Sequence, residues 1–287
     1  MASTDCWADW IRTRRTGGDA EFEARMLDQL AGVRDRVLDN AELRPGERLL
    51  DVGCGNGLIA FGALDRDAGE VVFADISTAL LDDCRELAAA AGLLGRCRFV
   101  EARAEALDGI GDASVDVVTT RSVLIYVEDK QSAFDEFHRV LRPGGRLSLF
   151  EPINRFGMHE RREDWGFELD GGRELLAKVN EVFRAIEPES NPMVDFDERD
   201  LLRHAEGAGF FPLRLALEAE ITPHEARRWE TFLHSSWNPK VPTLAEAMDQ
   251  ALTPEERAAL IAELRPLVEG GRGVWRMAHA YLWAVKP

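Results

Sequence analysis

The segment Asp51-Val52-Gly53-Cys54-Gly55-Asn56-Gly57 grows directly out of the run Arg48-Leu49-Leu50-Asp51-Val52, and no other stretch limits the fold as much. A short apolar run, entered from the turn formers Arg44-Pro45-Gly46-Glu47 and left through alternating glycines, reads as a buried strand ending in a tight loop. Glycines at that bend let the backbone turn and let a ligand approach without a Cβ in the way. A short helix predicted near Leu58–Leu64 then offers its unpaired N–H groups to an anionic group. A pyrophosphate loop spaces its glycines G-x-G-x-x-G. This loop reads G-x-G-x-G, with Asp51 two residues before the first glycine. An acid there disfavours a pyrophosphate and suits a ligand that carries a cation.

The rest of the first half repeats the strand–helix alternation. Val71–Ala74 reads as a second strand, and Ser77 as the N-cap of a helix ending near Gly92. Arg98-Phe99-Val100 and Val115–Thr119 read as the third and fourth strands. A helix from Asp129 carries Phe134, Phe137, Val140 and Leu141 on one face, and Pro143-Gly144-Gly145 separates it from a fifth strand, Arg146–Phe150. Strands alternating with helices at this spacing pair in parallel through right-handed crossovers, so a doubly wound α/β sheet follows, with its ligand at the strand C-termini. Asp75 ends the second strand, 22 residues after Gly53. A carboxylate at that point accepts hydrogen bonds from the two hydroxyls of an adenosine ribose.

The second half is less regular. One helix, Arg173–Ala185, lies in a charged, turn-rich stretch; another begins near Asp197 and closes at Gly207 or Gly209. Phe211–Ile221 and Val274–Val285 read as two late strands around about fifty mostly helical residues. The chain divides into an N-terminal helical segment (1–45), a core (46–151), an insertion (152–196), continued core (197–222), a helical insertion (223–273) and a last core strand (274–287). The two insertions are expected to act as a cap over the substrate.

Composition narrows the ligands. A formal charge of −17 repels a phosphate backbone, so nucleic acid is not an expected partner. Cys6, Cys54, Cys84 and Cys97 show neither C-x-x-C spacing nor a disulfide framework, so no metal site is expected. The N-terminal sequence lacks the apolar core of a signal peptide, and no apolar run has transmembrane length, which leads to the expectation of a cytoplasmic chain without membrane contact, monomeric or homodimeric.

LLDVGCGNGLIA, VVFADIS, SVDVVTTRSVLIYVEDK and HRVLRPGGRLSLFEP, in this order over residues 45–152, resemble the successive motifs of class I S-adenosylmethionine (SAM)-dependent methyltransferases, in particular the ubiquinone/menaquinone-biosynthesis type. The resemblance implies a Rossmann-like seven-stranded sheet, mostly parallel with the last strand antiparallel, SAM as cofactor and a small-molecule acceptor. It implies that Gly53, Gly55 and the loop backbone at Cys54 hold the methionine portion, that Asp51 fixes the loop and the ammonium, and that Asp75, with Ile76 beside it, holds the nucleoside. Relatives place an acid before Ala-Glu after strand three; here the position is Arg103, leaving adenine to Ala104 and Glu105. Arg121 and Ser122 would lie under the methionine portion.

Methyl transfer from a sulfonium needs mainly an aligned nucleophile, and a base only when the acceptor must lose a proton. Glu151, at the end of strand five, is the candidate base. Tyr126, after strand four, and His234, in an aromatic-rich insertion, are the other candidate catalytic groups. Trp7, Trp10, Trp165 and Trp237, among seven tryptophans, suggest an aromatic or heterocyclic acceptor. An anchoring role for Trp7 and Trp10 is the plainer alternative. A nicotinamide-dependent oxidoreductase and a non-catalytic SAM-binding interaction protein are the competing functions, and the acceptor atom stays open among O, N and C.

Overall fold

In the computed structural model, residues 5–157, 163–187 and 190–287 are described. They form a seven-stranded sheet in the order β3-β2-β1-β4-β5-β7-β6, with β1 Arg48–Val52, β2 Glu70–Asp75, β3 Cys97–Glu101, β4 Val115–Arg121, β5 Leu141–Pro152, β6 Leu213–Pro223 and β7 Val274–Val285. The first five strands pair in parallel, and β7 runs antiparallel to β5. This is the Rossmann-like, mostly parallel sheet that the motif order implied. Winding reverses at β1, which is flanked by β2 and β4. The crevice of such a sheet opens beyond the C-termini of the strands at that point, where the glycine loop lies.

Two compact units divide the chain. The sheet unit contains residues 27–153, 196–218 and 279–287. Helices α2 Ala20–Asn40, α3 Leu58–Asp65, α4 Thr78–Ala90, α5 Lys130–Val140 and α7 Glu198–Gly207 contribute to it. One core cluster joins Val37 and Leu38 of α2 to Leu49, Val71 and Phe73 of the strands and to Ile59 and Ala63 of α3. The central strands β1, β2 and β4 are buried along nearly their whole length, as expected of parallel strands covered on both faces. At the end away from the loop, Arg146 forks onto Glu47 at 2.9 and 2.5 Å and donates to the carbonyls of Ala41 and Glu42, tying β5 to the end of α2.

The helical unit contains residues 1–26, 154–195 and 219–278, so both insertions and the N-terminal segment share one body. The single N-terminal segment expected over 1–45 is divided within α2. Helices α1 Cys6–Asp9, α6 Arg173–Ile186, α8 Trp229–His234, α9 Leu244–Ala251 and α10 Pro254–Glu269 belong here. Leu176, Val179 and Phe183 of α6 meet Trp229, Met248, Leu260 and Leu264 in a common core. Capping boxes start α9 (Thr243 with Glu246) and α10 (Thr253 with Glu256), satisfying first-turn N–H groups reciprocally.

The structure moves some boundaries. β4 continues two residues past Thr119, to Arg121, and β5 begins at Leu141, which pairs with Val115 before the ladder shifts register and resumes at Arg146. The Pro143-Gly144-Gly145 turn is thus a bulge within a strand, with Gly144 at φ 77°.

Candidate functional site

Gly53, Gly55 and Gly57 all adopt positive φ, of 65°, 53° and 80°. At Gly53 a Cβ would stand 2.2 Å from a methyl of Val123, so this glycine is dictated by the close approach of the segment after β4 as well as by its own φ. The loop is fixed by Cys54 N–H donating to the Ala74 carbonyl at 3.0 Å and Gly57 N–H donating to that of Cys54 at 2.8 Å. The buried thiols of Cys54 and Cys84 both lie against the Gly55 carbonyl, at 3.9 and 3.4 Å. Hydrogen bonding to Cys84 and burial push the Cys54 thiol well up, so its side chain packs the loop from behind.

Three carboxylates hold the loops around this point, each by accepting backbone N–H groups. Asp75 accepts from Gly55 N–H at 2.8 Å and Ser77 N–H at 2.9 Å, joining the glycine loop to the start of α4. Capping of α4 falls to Ser77, whose hydroxyl accepts from Leu80 N–H, as its position predicted. Asp51 accepts from Ala60 N–H in the first turn of α3 at 3.2 Å and from the Thr119 hydroxyl at 3.0 Å. At 2% exposure it fixes the loop, but a direct hold on a ligand ammonium does not follow from its placement. Burial raises its pKa to about 7, against the hydrogen bond from Thr119 and the charge of Arg121.

Glu151 requires a correction. The position at the end of β5 predicted a side chain in the crevice; instead it has no exposed surface. Its Oε1 accepts from Val123 and Leu124 N–H at 2.9 and 3.0 Å, and Oε2 from Ile125 N–H at 3.4 Å. These donors open the 3-10 turn Leu124–Tyr126, so Glu151 is the anchor of that turn and as placed does not reach a substrate. Burial lifts its pKa to about 7, offset by the three N–H groups and Arg121.

Between these acids stands Arg121, half-buried at the end of β4, with its pKa lowered by burial and supported by the charges of Asp51 and Glu151. Ser122 follows at φ 55°, an uncommon conformation for a residue with a Cβ, and its N–H donates to the Phe150 carbonyl at 2.9 Å. This backbone outlier turns the chain so that Val123 meets Gly53 and Tyr126 closes the turn half-buried. Just past β2, Ile76 is 43% exposed beside Asp75. Ala102 N–H donates to the Asp75 carbonyl, Ala104 is buried, and Glu105 is engaged at 3.0 Å by the exposed Arg103. The basic residue in the usual acidic place therefore draws Glu105 to itself.

The candidates from the insertions and the N-terminus belong to the helical unit. Trp10 donates its indole N–H to the Ser236 carbonyl at 2.7 Å, which anchors the N-terminal helix. Trp165 donates to Asn180 at 2.8 Å and packs against Phe183 and Phe232. Both indoles are thus structural members of that unit. Trp7 is half-buried on α1. Trp237 is 49% exposed, its ring tilted 48° against Phe183, and it donates its indole N–H to Glu187 at 3.3 Å. His234 is a half-exposed residue at the end of α8, 3.5 Å from Glu230, a helix-surface pair rather than a catalytic arrangement. Sequence reasoning did not single out Thr119, Val123 or Cys84. The alternation along β4 places Thr119 and Arg121 on one face, which was the available signal.

Among the described residues no group of three His, Cys, Asp or Glu side chains is arranged to hold a metal, and no helix is long and apolar enough to cross a membrane.

Comparison with known proteins agrees with this geometry. The family described as "Methyltransferase domain" matches residues 50–149, which run from β1 to β5. The ubiquinone/menaquinone biosynthesis C-methyltransferase UbiE of Vibrio parahaemolyticus is 39% identical over 133 residues, covering 44% of this chain and 51% of that protein. The chain thus spans about half the length of the curated relatives it matches. Among solved structures, the YcgJ protein of Bacillus subtilis matches with a TM-score of 0.54 at 16% identity, over 88% of this chain and 97% of that one. A geranyl diphosphate methyltransferase in complex with SAM matches with a TM-score of 0.54 at 19% identity, over 94% and 92%. These two show the shared fold. Over residues 50–149 the chain is thus similar to methyltransferase domains, including those of the ubiquinone/menaquinone biosynthesis C-methyltransferases.

Proposed function

We propose that this chain binds SAM at the C-terminal ends of β1, β2 and β4 and transfers its methyl group to a small-molecule acceptor. The observation that carries the reading is the Asp75–Gly55 link at 2.8 Å, which sets the ribose-type carboxylate directly against the glycine loop. Asp75, at the end of β2, is the carboxylate placed to accept hydrogen bonds from the two ribose hydroxyls. Gly53, Cys54 and Gly55 would present backbone to the methionine portion, and Ile76, Ala104 and Glu105 would border the adenine.

SAM supplies an electrophilic methyl on a sulfonium. The protein's task is then to orient the acceptor and to exclude water, which in favourable cases accounts for about 7–11 kcal/mol of a barrier. Tyr126 is the candidate to orient the acceptor, because its phenol both donates and accepts and it ends the turn that Glu151 anchors. With Glu151 committed to that turn, positioning carries the reaction. The helical unit supplies the acceptor-specific groups in this reading, and its exposed Trp237 favours an aromatic or heterocyclic acceptor.

The test has two arms. Calorimetry should show binding of S-adenosylhomocysteine and none of NADH; the reverse result would select the oxidoreductase. Incubation with methyl-labelled SAM and a metabolite extract should yield a labelled small molecule by mass spectrometry. Cofactor binding without any labelled product would favour a non-catalytic SAM-binding protein.

A further inference from the structure

The two edges of the sheet are built differently. β3 closes one edge with five residues, among them the charged Arg98 and Glu101. β6 closes the other with eleven residues and is hydrogen-bonded to β7 on one side only. An edge strand presents a row of unpaired N–H and C=O groups that can template another strand, and shortness, charge and proline are the usual guards. In β6 the prolines stand at the margins, Pro212 just before the strand and Pro223 as its last residue. Side chains alternate along a strand, so Leu213, Leu215, Leu217, Ala219 and Ile221 share one face, and that face is wholly apolar. Leu213 and Leu215 are half-buried, whereas Leu217 is 43% and Ile221 62% exposed.

The charges of the other face select what pairs with this edge. Arg214 and Glu220 are both exposed, and among the described residues neither forms an ion pair; Arg214 lies over the Trp283 ring. The two stand at equal distances on either side of Leu217. Glu218, on the same face, is already held by Arg36 at 2.5 Å. When two identical strands pair antiparallel about a twofold axis through Leu217, Arg214 of each copy stands opposite Glu220 of the other. Leu213 then meets Ile221, Leu215 meets Ala219, and Glu218 faces Ala216, which leaves its bond to Arg36 undisturbed. An axis at Glu218 would set two glutamates face to face, and an axis at Ala216 would set Arg214 against the glutamate that Arg36 already holds. Opposite charges directly across a ladder attract and like charges repel, so the axis at Leu217 is the favoured register.

We propose that β6 is the self-association surface of this chain: two copies pair their β6 strands antiparallel about Leu217 and join their sheets into one. Such a contact uses the same patch on both copies and closes at the dimer.

Sedimentation equilibrium over a concentration series should give a monomer–dimer equilibrium that ends at the dimer. Hydrogen exchange at residues 213–221 should slow as the dimer fills, because their outward N–H groups become bonded. Arg214→Glu and Glu220→Arg should each weaken the dimer by about tenfold or more, since each replaces two attractive pairs by two repulsive ones. Combining the two swaps rebuilds both pairs and should return the dissociation constant to near that of the unaltered protein, a rescue that general destabilisation does not give. Leu217→Lys, which sets two cations on the axis, should yield monomers. Melting temperature checks that each variant folds, and the exchange comparison needs no variant at all. An unaltered protein that stays monomeric throughout overturns the proposal and leaves the edge to a strand of another protein. A dimer with unchanged exchange at 213–221, or one that ignores both single swaps, places the interface elsewhere and overturns it too. Growth past the dimer, or single swaps that weaken it without recovery in the double variant, would overturn the twofold register at Leu217.

Discussion

The sheet unit and the helical unit are organised by different forces. Around the glycine loop, buried acids hold the backbone: Asp75 takes Gly55 and Ser77, Asp51 takes Ala60, and Glu151 takes Val123, Leu124 and Ile125. Each joins the end of one strand to a loop or turn from another part of the chain. In the helical unit, Phe167, Phe183, Trp229 and Met248 share an apolar core, and the indole N–H groups of Trp10 and Trp165 are bonded inside that same unit. The first arrangement makes a rigid, charged rim that leaves backbone geometry nowhere to slip. The second is a packed body whose side chains can vary in identity provided volume is kept. Under the proposed function, cofactor binding falls to the first and acceptor choice to the second.

The largest effect should come from the apolar body. Phe167→Ala is expected to lower its stability by about 3–5 kcal/mol, measured by denaturant unfolding, with S-adenosylhomocysteine affinity changed by less than about twofold. A large loss of affinity would mean that the two units do not divide the work. In the charged rim, Gly53→Ala should cost about 3 kcal/mol, from Cβ overlap with Val123 together with an unfavourable φ. Adding Val123→Ala should restore part of the loss. If the double variant is no better than the single one, the clash is not the cause.

Asp75→Ala should weaken S-adenosylhomocysteine by about 1.5–3 kcal/mol, the range of a charge-assisted hydrogen bond. Unchanged calorimetric affinity in a folded variant would remove Asp75 from the ribose.

The pH dependence tests the rim in another way. Asp51 and Glu151 have pKa values raised by burial to about 7, so the folded chain retains protons that the unfolded chain releases in the ordinary carboxylate range. Their protonated forms stabilise the fold in acid, and this contribution is lost as pH rises from that range through about 7. Glu151→Gln should flatten the decline in melting temperature between pH 5 and 8. An unaltered slope would mean that Glu151 does not titrate there. The smallest effect is expected at His234→Ala, where a half-exposed helix-end pair is removed. Melting temperature, cofactor affinity and turnover should all stay near those of the unaltered protein, and a fall in turnover alone would return His234 to the reaction.

Much of the sheet unit was legible in the residue order. The strand containing Leu49 and Leu50, the glycine spacing, Asp75 and the Ser77 cap follow local rules in which a few neighbours decide the outcome, and the structure reproduces them. The sequence also placed Arg121 just past the fourth strand and Glu151 at the end of the fifth. It could not say what their side chains do, because a position at a strand end leaves open whether a group faces ligand or backbone. That was decided by the left-handed turn at Ser122, which brings the N–H groups of 123–125 onto Glu151 and leaves Arg121 without a bonded partner among the described residues. The same holds for the tryptophans: aromatic content was visible in the composition, but only packing showed that Trp10 and Trp165 use their N–H groups internally whereas Trp237 stays half-exposed. Sequence by itself determined the backbone path and the residue types at its ends, since those depend on short-range sterics and periodicity. Tertiary structure determined which buried polar group satisfies which, since that depends on segments distant in the chain meeting in space.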